Sequence, residues 1–267
     1  MSKIGFSLVM LMFGLSLSAQ SIRLPAGKKM SVTAETKMAS STAVMGQQMD
    51  IENTITNISE IELKTVTNTG YIITATVKRI KASISISGQE QSFDSDEETS
   101  RNNPQMAALF AMLDKPNEIE VGEHGATIKG DIGAKALQMG IPVNANDQAK
   151  YILMQQEISK LTSGNHWFDS TVAEGNRMIN EYTVNKTDDL TAEVLVKTTV
   201  DVNTTLQQFG MDIKQSMQGT INAKRLYTKS TGLLIKEESE MVMTGTMDIM
   251  GQSSPLNIKG KITTTVN

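Results

Sequence analysis

Hydrophobic and polar residues alternate over most of the chain, the period imposed by strands with one buried face. From Val32 to Val44 the even positions carry Val32, Ala34, Met38 and Val44, and from Met49 to Leu63 the odd positions carry Met49, Ile51, Ile55, Ile61 and Leu63. Between Tyr71 and Ile86 the phase changes: Tyr71, Ile73, Ala75 and Val77 are odd, whereas Ile80, Ala82, Ile84 and Ile86 are even. One extra residue near Lys78 and Arg79 produces that change, so a β-bulge or a strand break is predicted there. In the C-terminal part Leu190, Ala192, Val194, Val196, Val200 and Val202 share one face, and Met211, Ile213, Met217, Ile221 and Ala223 form a second series. Leu233, Ile235, Met241, Met243 and Met247 form a third, and Leu256, Ile258, Ile262 and Val266 a fourth. Turn signals at Asn68-Thr69-Gly70, Ser87-Gly88, Lys229 to Gly232 and Ser253-Ser254-Pro255 separate these runs.

The middle of the chain has a different pattern. Asn103 and Pro104 can cap and open a helix whose apolar body is Met106 to Leu113. A second helix is expected from Asp147, because Tyr151, Met154, Ile158 and Leu161 make one helical stripe, and a shorter turn over Ile132 to Met139. The expected fold is therefore mainly β (β-rich α+β): a large curved antiparallel sheet, or unclosed barrel, with a short helical insert packed on one face. Residues 20–99 form the N-terminal β half, 100–163 the helical insert and 164–267 the C-terminal β half, all within one domain.

The first residues add a compartment. Lys3 precedes an apolar stretch from Ile4 to Leu17, and Leu17-Ser18-Ala19 supplies a small residue before Gln20. This pattern predicts a cleavable secretory signal peptide over residues 1–19, and the stretch is short for a membrane-spanning helix. Removing 19 of the 267 residues leaves 248, of which none is cysteine. The expected product is exported by the secretory route to the periplasm or beyond. Without a cysteine after the apolar stretch it is not a lipoprotein, and no stable membrane insertion is expected after cleavage. The mature chain is mildly acidic without a basic block, which argues against nucleic acid as partner. Aromatic residues are only 4% of the chain, so Ile, Leu, Val, Ala and the 15 of its 18 methionines that lie beyond residue 19 must supply the core.

Val44-Met45-Gly46-Gln47 is echoed by Ile249-Met250-Gly251-Gln252, and Gln208 to Ile213 is similar to Gly46 to Ile51. Duplicated halves and shared hairpin chemistry both account for such short matches. The Met45-Gly46-Gln47 strand, the Phe93-Asp94-Ser95-Asp96 loop and the closing Thr231-Gly232 to Met250-Gly251-Gln252 hairpin together resemble one family, the exported bacterial proteins known as domain of unknown function 6263. The resemblance covers the chain from about Met30 onward. It implies an exported β-rich protein and supplies no catalytic residues.

Candidate chemistry is sparse. Phe93 to Glu98 is the densest acidic segment, but it lacks the ligand spacing, mid-loop Gly and closing Glu of an EF-hand. It reads as a solvated loop leading into the helical insert. His124 and His166 are the only histidines, and Glu123 or Asp169 would have to complete a metal site with them, so no metal or cofactor is expected. No Gly-x-Ser-x-Gly elbow, Walker A loop or Gly-x-Gly-x-x-Gly occurs, and no catalytic residue is assigned. The methionines allow three readings: core filler, a Cu(I) thioether site, or the pliable lining of an apolar cavity. Packing is favoured, because they fall in phase with Ile, Val and Leu. The candidate cavity lining is Met106, Met112, Met154, Met241, Met243 and Met247. The leading expectation is a non-enzymatic binding or carrier protein for an apolar small molecule in the cell envelope. The alternatives are a structural or protein-interaction module of the envelope, and a hydrolase-type enzyme with an unrecognised site.

Overall fold

A computed structural model describes residues 25–44, 47–67, 70–102, 111, 113–122, 127–129, 156–173, 176–208, 211–249 and 251–267. Twelve strands make one antiparallel sheet: β1 (Lys29–Val44), β2 (Gln47–Thr67), β3 (Gly70–Ile86), β4 (Gln89–Asp94), β5 (Asn117–Gly122), β6 (Thr127–Lys129), β7 (His166–Ala173), β8 (Asn176–Thr187), β9 (Thr191–Gln208), β10 (Met211–Thr228), β11 (Leu234–Ile249) and β12 (Gln252–Val266). Their order across the sheet is β6-β5-β3-β2-β1-β12-β11-β10-β9-β8-β7. β4 and β5 share the far edge of β3, β4 pairing with Lys81 to Ile86 and β5 with Gly70 to Ala75. Among the described residues the outermost strands, β6 and β7, do not pair with each other, so the curved sheet is not closed. One short helix, α1 (Glu98–Arg101), follows β4, and a 3-10 turn (Ile158–Lys160) precedes β7.

Two meanders, β1 to β3 and β7 to β12, meet where β1 pairs with β12 from Val32↔Val266 to Thr42↔Leu256. Ser31 and Asn267 exchange backbone hydrogen bonds of 2.8 and 2.9 Å at the end of that seam. The alternation in the sequence becomes an inner, buried face and an outer, polar one. β2 shows it most regularly: Ile51, Asn53, Ile55, Asn57, Ser59, Ile61 and Leu63 are buried, and the residues between them are not. On the outer face Lys and Glu pair across strands, as in Lys29–Glu60 at 3.6 Å and Lys261–Glu240 at 3.8 Å. Such exposed pairs contribute about 0–1 kcal/mol each. This polarity is the reverse of a membrane-spanning barrel, whose apolar band faces lipid. No helix among the described residues is long and apolar enough to cross a membrane.

The phase change in β3 is a bulge. Ile58 pairs with Arg79 and Ser59 with Val77, so Lys78 is the extra residue. It leaves Lys78 and Arg79 both on the outer side, where Lys78 reaches Asp114 at 3.0 Å. The Ser87-Gly88 signal is a two-residue hairpin between Ile86 and Gln89, with both residues at positive φ (49° and 83°), the backbone that a tight hairpin requires. The three echoed segments occupy equivalent places, each joining a directly facing pair: Val44↔Gln47, Gln208↔Met211 and Ile249↔Gln252. Duplicated halves and shared hairpin chemistry both give such equivalent places.

Four local expectations are corrected. Ser253-Ser254-Pro255 lies inside β12, and the turn is one step earlier, at Gly251 with φ 82°. Pro255 is tolerated because pairing with β1 has already ended at Leu256, so the missing N–H breaks no ladder bond on that side. Leu190 does not share the inner face with Ala192; it is exposed in the β8–β9 turn, its N–H donating to Asp188 Oδ1 at 2.8 Å. Ile235 is not in phase with Met241, because Leu226 pairs with Lys236 and Tyr227 with Leu234, making Ile235 a bulge. Ile158 and Leu161 do not share an α-helix: Glu157 is extended (φ −58°, ψ 127°), which stops any helix arriving from the N-terminal side. The rest of that stripe, the turn over Ile132 to Met139 and the helix expected from Asn103 lie outside the described residues, apart from Ala111 and Leu113, which lie in a turn. The span 100–163 also contributes β5 and β6 to the sheet.

Candidate functional site

The inner face has two apolar regions of different chemistry, with polar side chains between them. The first gathers Met30, Val32, Ile61, Leu63, Ile73, Ile119, Val194, Leu234 and their neighbours from both meanders, with Leu161 and Trp167 against it. Trp167 stacks on Tyr182 with ring centroids 4.9 Å apart and planes 2° from parallel. The second region consists of Met38, Met217, Met241, Met243 and Met247 with Val200, Val202, Leu256 and Ile258, and Met178 and Ile221 pack on it.

Glycines make room for these methionines. Gly219 faces Met243 and Gly245 faces Met217 across β10 and β11, while Gly260 on β12 lies between Met241 of β11 and Met38 of β1. A Cβ at Gly260 would sit 3.2 Å from Met241 Cε and 3.3 Å from Met38 Cγ, so both side chains lie over that glycine. At Gly219 and Gly245 an added Cβ would meet backbone, 2.2 Å from the Val242 oxygen and 2.0 Å from the Ser216 oxygen. Unbranched thioethers on smooth backbone make a soft, adaptable surface.

Beside this region two buried polar atoms, Thr42 Oγ1 and Asn53 Oδ1, have no hydrogen-bond partner among the described residues. Asn53 faces Met38 directly across β1 and β2. Buried acceptors of this kind are normally satisfied by protein, water or ligand, and leaving one unmade costs about 1–3 kcal/mol.

Towards the first region the charged groups are paired, while the buried Tyr227 hydroxyl has no hydrogen-bond partner among the described residues. Arg225 of β10 and Glu237 of β11 are directly opposite each other and both buried, with Nε donating to Oε2 at 2.6 Å. The hydroxyl of Tyr227, one inward position further along β10, lies beside Arg225 and Gln156. Burial pushes the Tyr227 phenol well above its ordinary pKa, and the Arg225 charge pulls it partly back. Burial likewise raises Tyr182, again opposed by Arg225. Next comes a chain across β9, β8 and β7: Thr198 Oγ1 donates to Asn180 Oδ1 at 2.7 Å, and Asn180 Nδ2 donates to Asp169 Oδ1 at 2.6 Å.

Among the residues expected at a site, Met241, Met243 and Met247 come together in the second region, whereas Met106, Met112 and Met154 lie outside the described residues. His166 and Asp169 cannot share a metal. His166 is on the outer face, its Nε2 3.1 Å from Glu181 Oε1 and its ring edge-on to Phe168, while Asp169 bonds inward to Asn180. His124 and Glu123 lie outside the described residues, and no group of three His, Cys, Asp or Glu suited to a metal occurs among those described. The acidic loop is only partly solvated. Asp94 and Ser95 are buried, because Arg79 grips Asp94 through two bonds of 3.0 and 2.7 Å and Ser95 Oγ accepts the Ile80 N–H at 3.0 Å. The guanidinium of Arg79 holds the Asp94 carboxyl below the usual carboxylate range. The loop is thus an anchor for α1, placed by the bulge at Lys78.

Sequence reasoning missed Arg225 and Glu237. The signal was present: Arg225 follows Ala223 by two residues and Glu237 precedes Met241 by four, so both are in phase with the buried series.

No family model and no curated protein matches this chain. Among solved structures it is similar to an outer membrane channel from Pseudomonas putida F1, at 9% identity and a TM-score of 0.26, over 92% of this chain and 97% of that one. A likeness at that level carries no argument about this protein.

Proposed function

We propose that this chain is an exported, non-enzymatic carrier or binding protein whose inner face receives an apolar small molecule. The observation that carries the reading is the methionine-over-glycine surface of Met38, Met217, Met241 and Met243, flanked by the unpartnered buried atoms of Thr42 and Asn53. A soft apolar surface with a few convergent polar groups is the usual chemistry of a small-molecule site. Export rests on residues 1–19 and membership of the exported family on the three short motifs. Export is tested by cell fractionation with N-terminal sequencing, where a mature chain starting at Gln20 is expected. For the carrier itself, native mass spectrometry of protein purified without detergent is expected to show a bound small molecule or uptake of an added apolar probe. A protein that is empty and takes up no probe overturns the reading.

A second reading, an interaction module of the envelope, has its own observation. β7 ends the strand order, and its outer face exposes Phe168 and Val172 at 61% and 72%. It carries neither the lysine nor the proline that blunts exposed strand edges. A photo-cross-linker placed at Phe168 should then capture one defined envelope protein, and a Phe168→Ser variant should lose it.

A further inference from the structure

We infer that the ligand is a neutral, hydroxyl-bearing amphiphile, such as a monoacylglycerol or long-chain alcohol, and not a fatty-acid or phosphate-bearing lipid. The inference rests on the carrier reading and specifies the head group. Three charged side chains of the strands belong to the described inner face, Arg225, Glu237 and Asp169, while Lys160, over the Trp167 ring, is paired with Glu157 at 3.7 Å. Arg225, the one cation among those three, is already held by Glu237 at 2.6 Å, and Asp169 leaves the face with one net negative charge. An anionic head entering this face meets no uncompensated positive charge and must be desolvated against a like charge.

Of the five buried atoms without a hydrogen-bond partner among the described residues, the two beside the methionines point the same way. Asn53 Oδ1 accepts only, and Thr42 Oγ1 both accepts and donates. A ligand hydroxyl supplies the hydrogen that Asn53 lacks, whereas a carboxylate has none to give. Asn53 stands opposite Met38, whose side chain lies with that of Met241 over Gly260. A hydroxyl at Asn53 therefore places the adjoining alkyl chain against the thioethers. The compensated Arg225 lies further along the face, where Thr264 separates Glu237 from Ala34.

The test is displacement of Nile red, a neutral fluorescent apolar probe, from the full mature chain by monoolein and by oleate. Monoolein is expected to displace it at about tenfold lower concentration, the worth of one hydrogen bond of about 1.4 kcal/mol. Asn53→Leu should abolish that advantage, read as the ratio of the monoolein and oleate concentrations that displace the probe from that same variant. Glu237→Gln, by releasing Arg225, should move the preference towards oleate, and circular dichroism of each variant checks that it is folded. If oleate competes as well as monoolein, or if folded Asn53→Leu retains the advantage, the head-group inference is overturned while the carrier reading stands. If no probe or lipid binds at all, the carrier reading falls and this inference with it.

Discussion

At the end of the inner face that holds Leu63, Ile73 and Leu234 the strands bend at bulges, whereas at the end that holds Met217, Met241 and Met243 they carry glycines. Lys64 of β2, Asn185 of β8 and Ile235 of β11 are each skipped in the pairing at the first end. Gly219, Gly245 and Gly260 lie under methionines at the second. A bulge adds twist while keeping every side chain, so branched and aromatic residues still pack tightly around it. A glycine gives up its side chain, and something flexible must fill the space. The first end is thus built for a fixed interior and the second for an adaptable one. A binding face needs that difference, because a rigid floor orients what a pliable wall accommodates.

The comparison can be broken most severely at the buried ion pair. Arg225→Met alone is expected to cost about 3–5 kcal/mol in urea unfolding, because it strands a buried Glu237, while Arg225→Met with Glu237→Leu should recover most of the loss. A double variant as unstable as the single one would mean that the pair fixes the fold of this end. Next, Leu63→Ala or Leu234→Ala should cost about 2–5 kcal/mol, whereas Met243→Leu should cost under about 1.5 kcal/mol. Equal losses would erase the distinction between the ends. Among the glycines, Gly245→Ala meets backbone and should cost about 1–3 kcal/mol. Gly260→Ala is tight only against the Met241 and Met38 side chains, with the Lys37 oxygen at an ordinary 3.5 Å, and a stability within about 1 kcal/mol of the parent shows that they can yield.

The smallest effect is a response to alkali. Burial raises the phenols of Tyr182 and Tyr227 in the fold, so the unfolded chain releases those protons first and stability falls as pH rises above about 10. Tyr182→Phe should flatten that fall in thermal unfolding, Met243→Leu should leave it unchanged, and tyrosinate absorbance should rise together with unfolding.

Much of this architecture is readable from the sequence, because a buried face imposes its period on whatever residues occupy it. The bulge at Lys78 shows as a phase change and the Ser87-Gly88 hairpin as a dipeptide that favours positive φ. What escaped the pattern is what hydrophobicity does not mark. Arg225 and Glu237 hold inward positions but were passed over as polar, although opposite charges in phase on neighbouring strands are themselves a sign of an internal pair. Pro255 reads as a turn because the sequence does not show that pairing with β1 stops beside it. Met241, Met243 and Met247 share one buried face, as their phase predicts, while Asn53 and Thr42 give no signal. Their meaning comes from the absence of partners among the described residues, which only three dimensions reveal.

The seam between β1 and β12 has a kinetic consequence. The sheet's central pairing joins its first strand to its last, Val32 to Val266, so the most distant contact in the strand order of the chain is also the one that unites the two meanders. Each meander can zip locally through short hairpins, but the loop between them must close before the seam forms, and such topologies fold slowly. The chain cannot complete its inner face until β12 is available. Until then both meanders present an unpaired edge to whatever holds them.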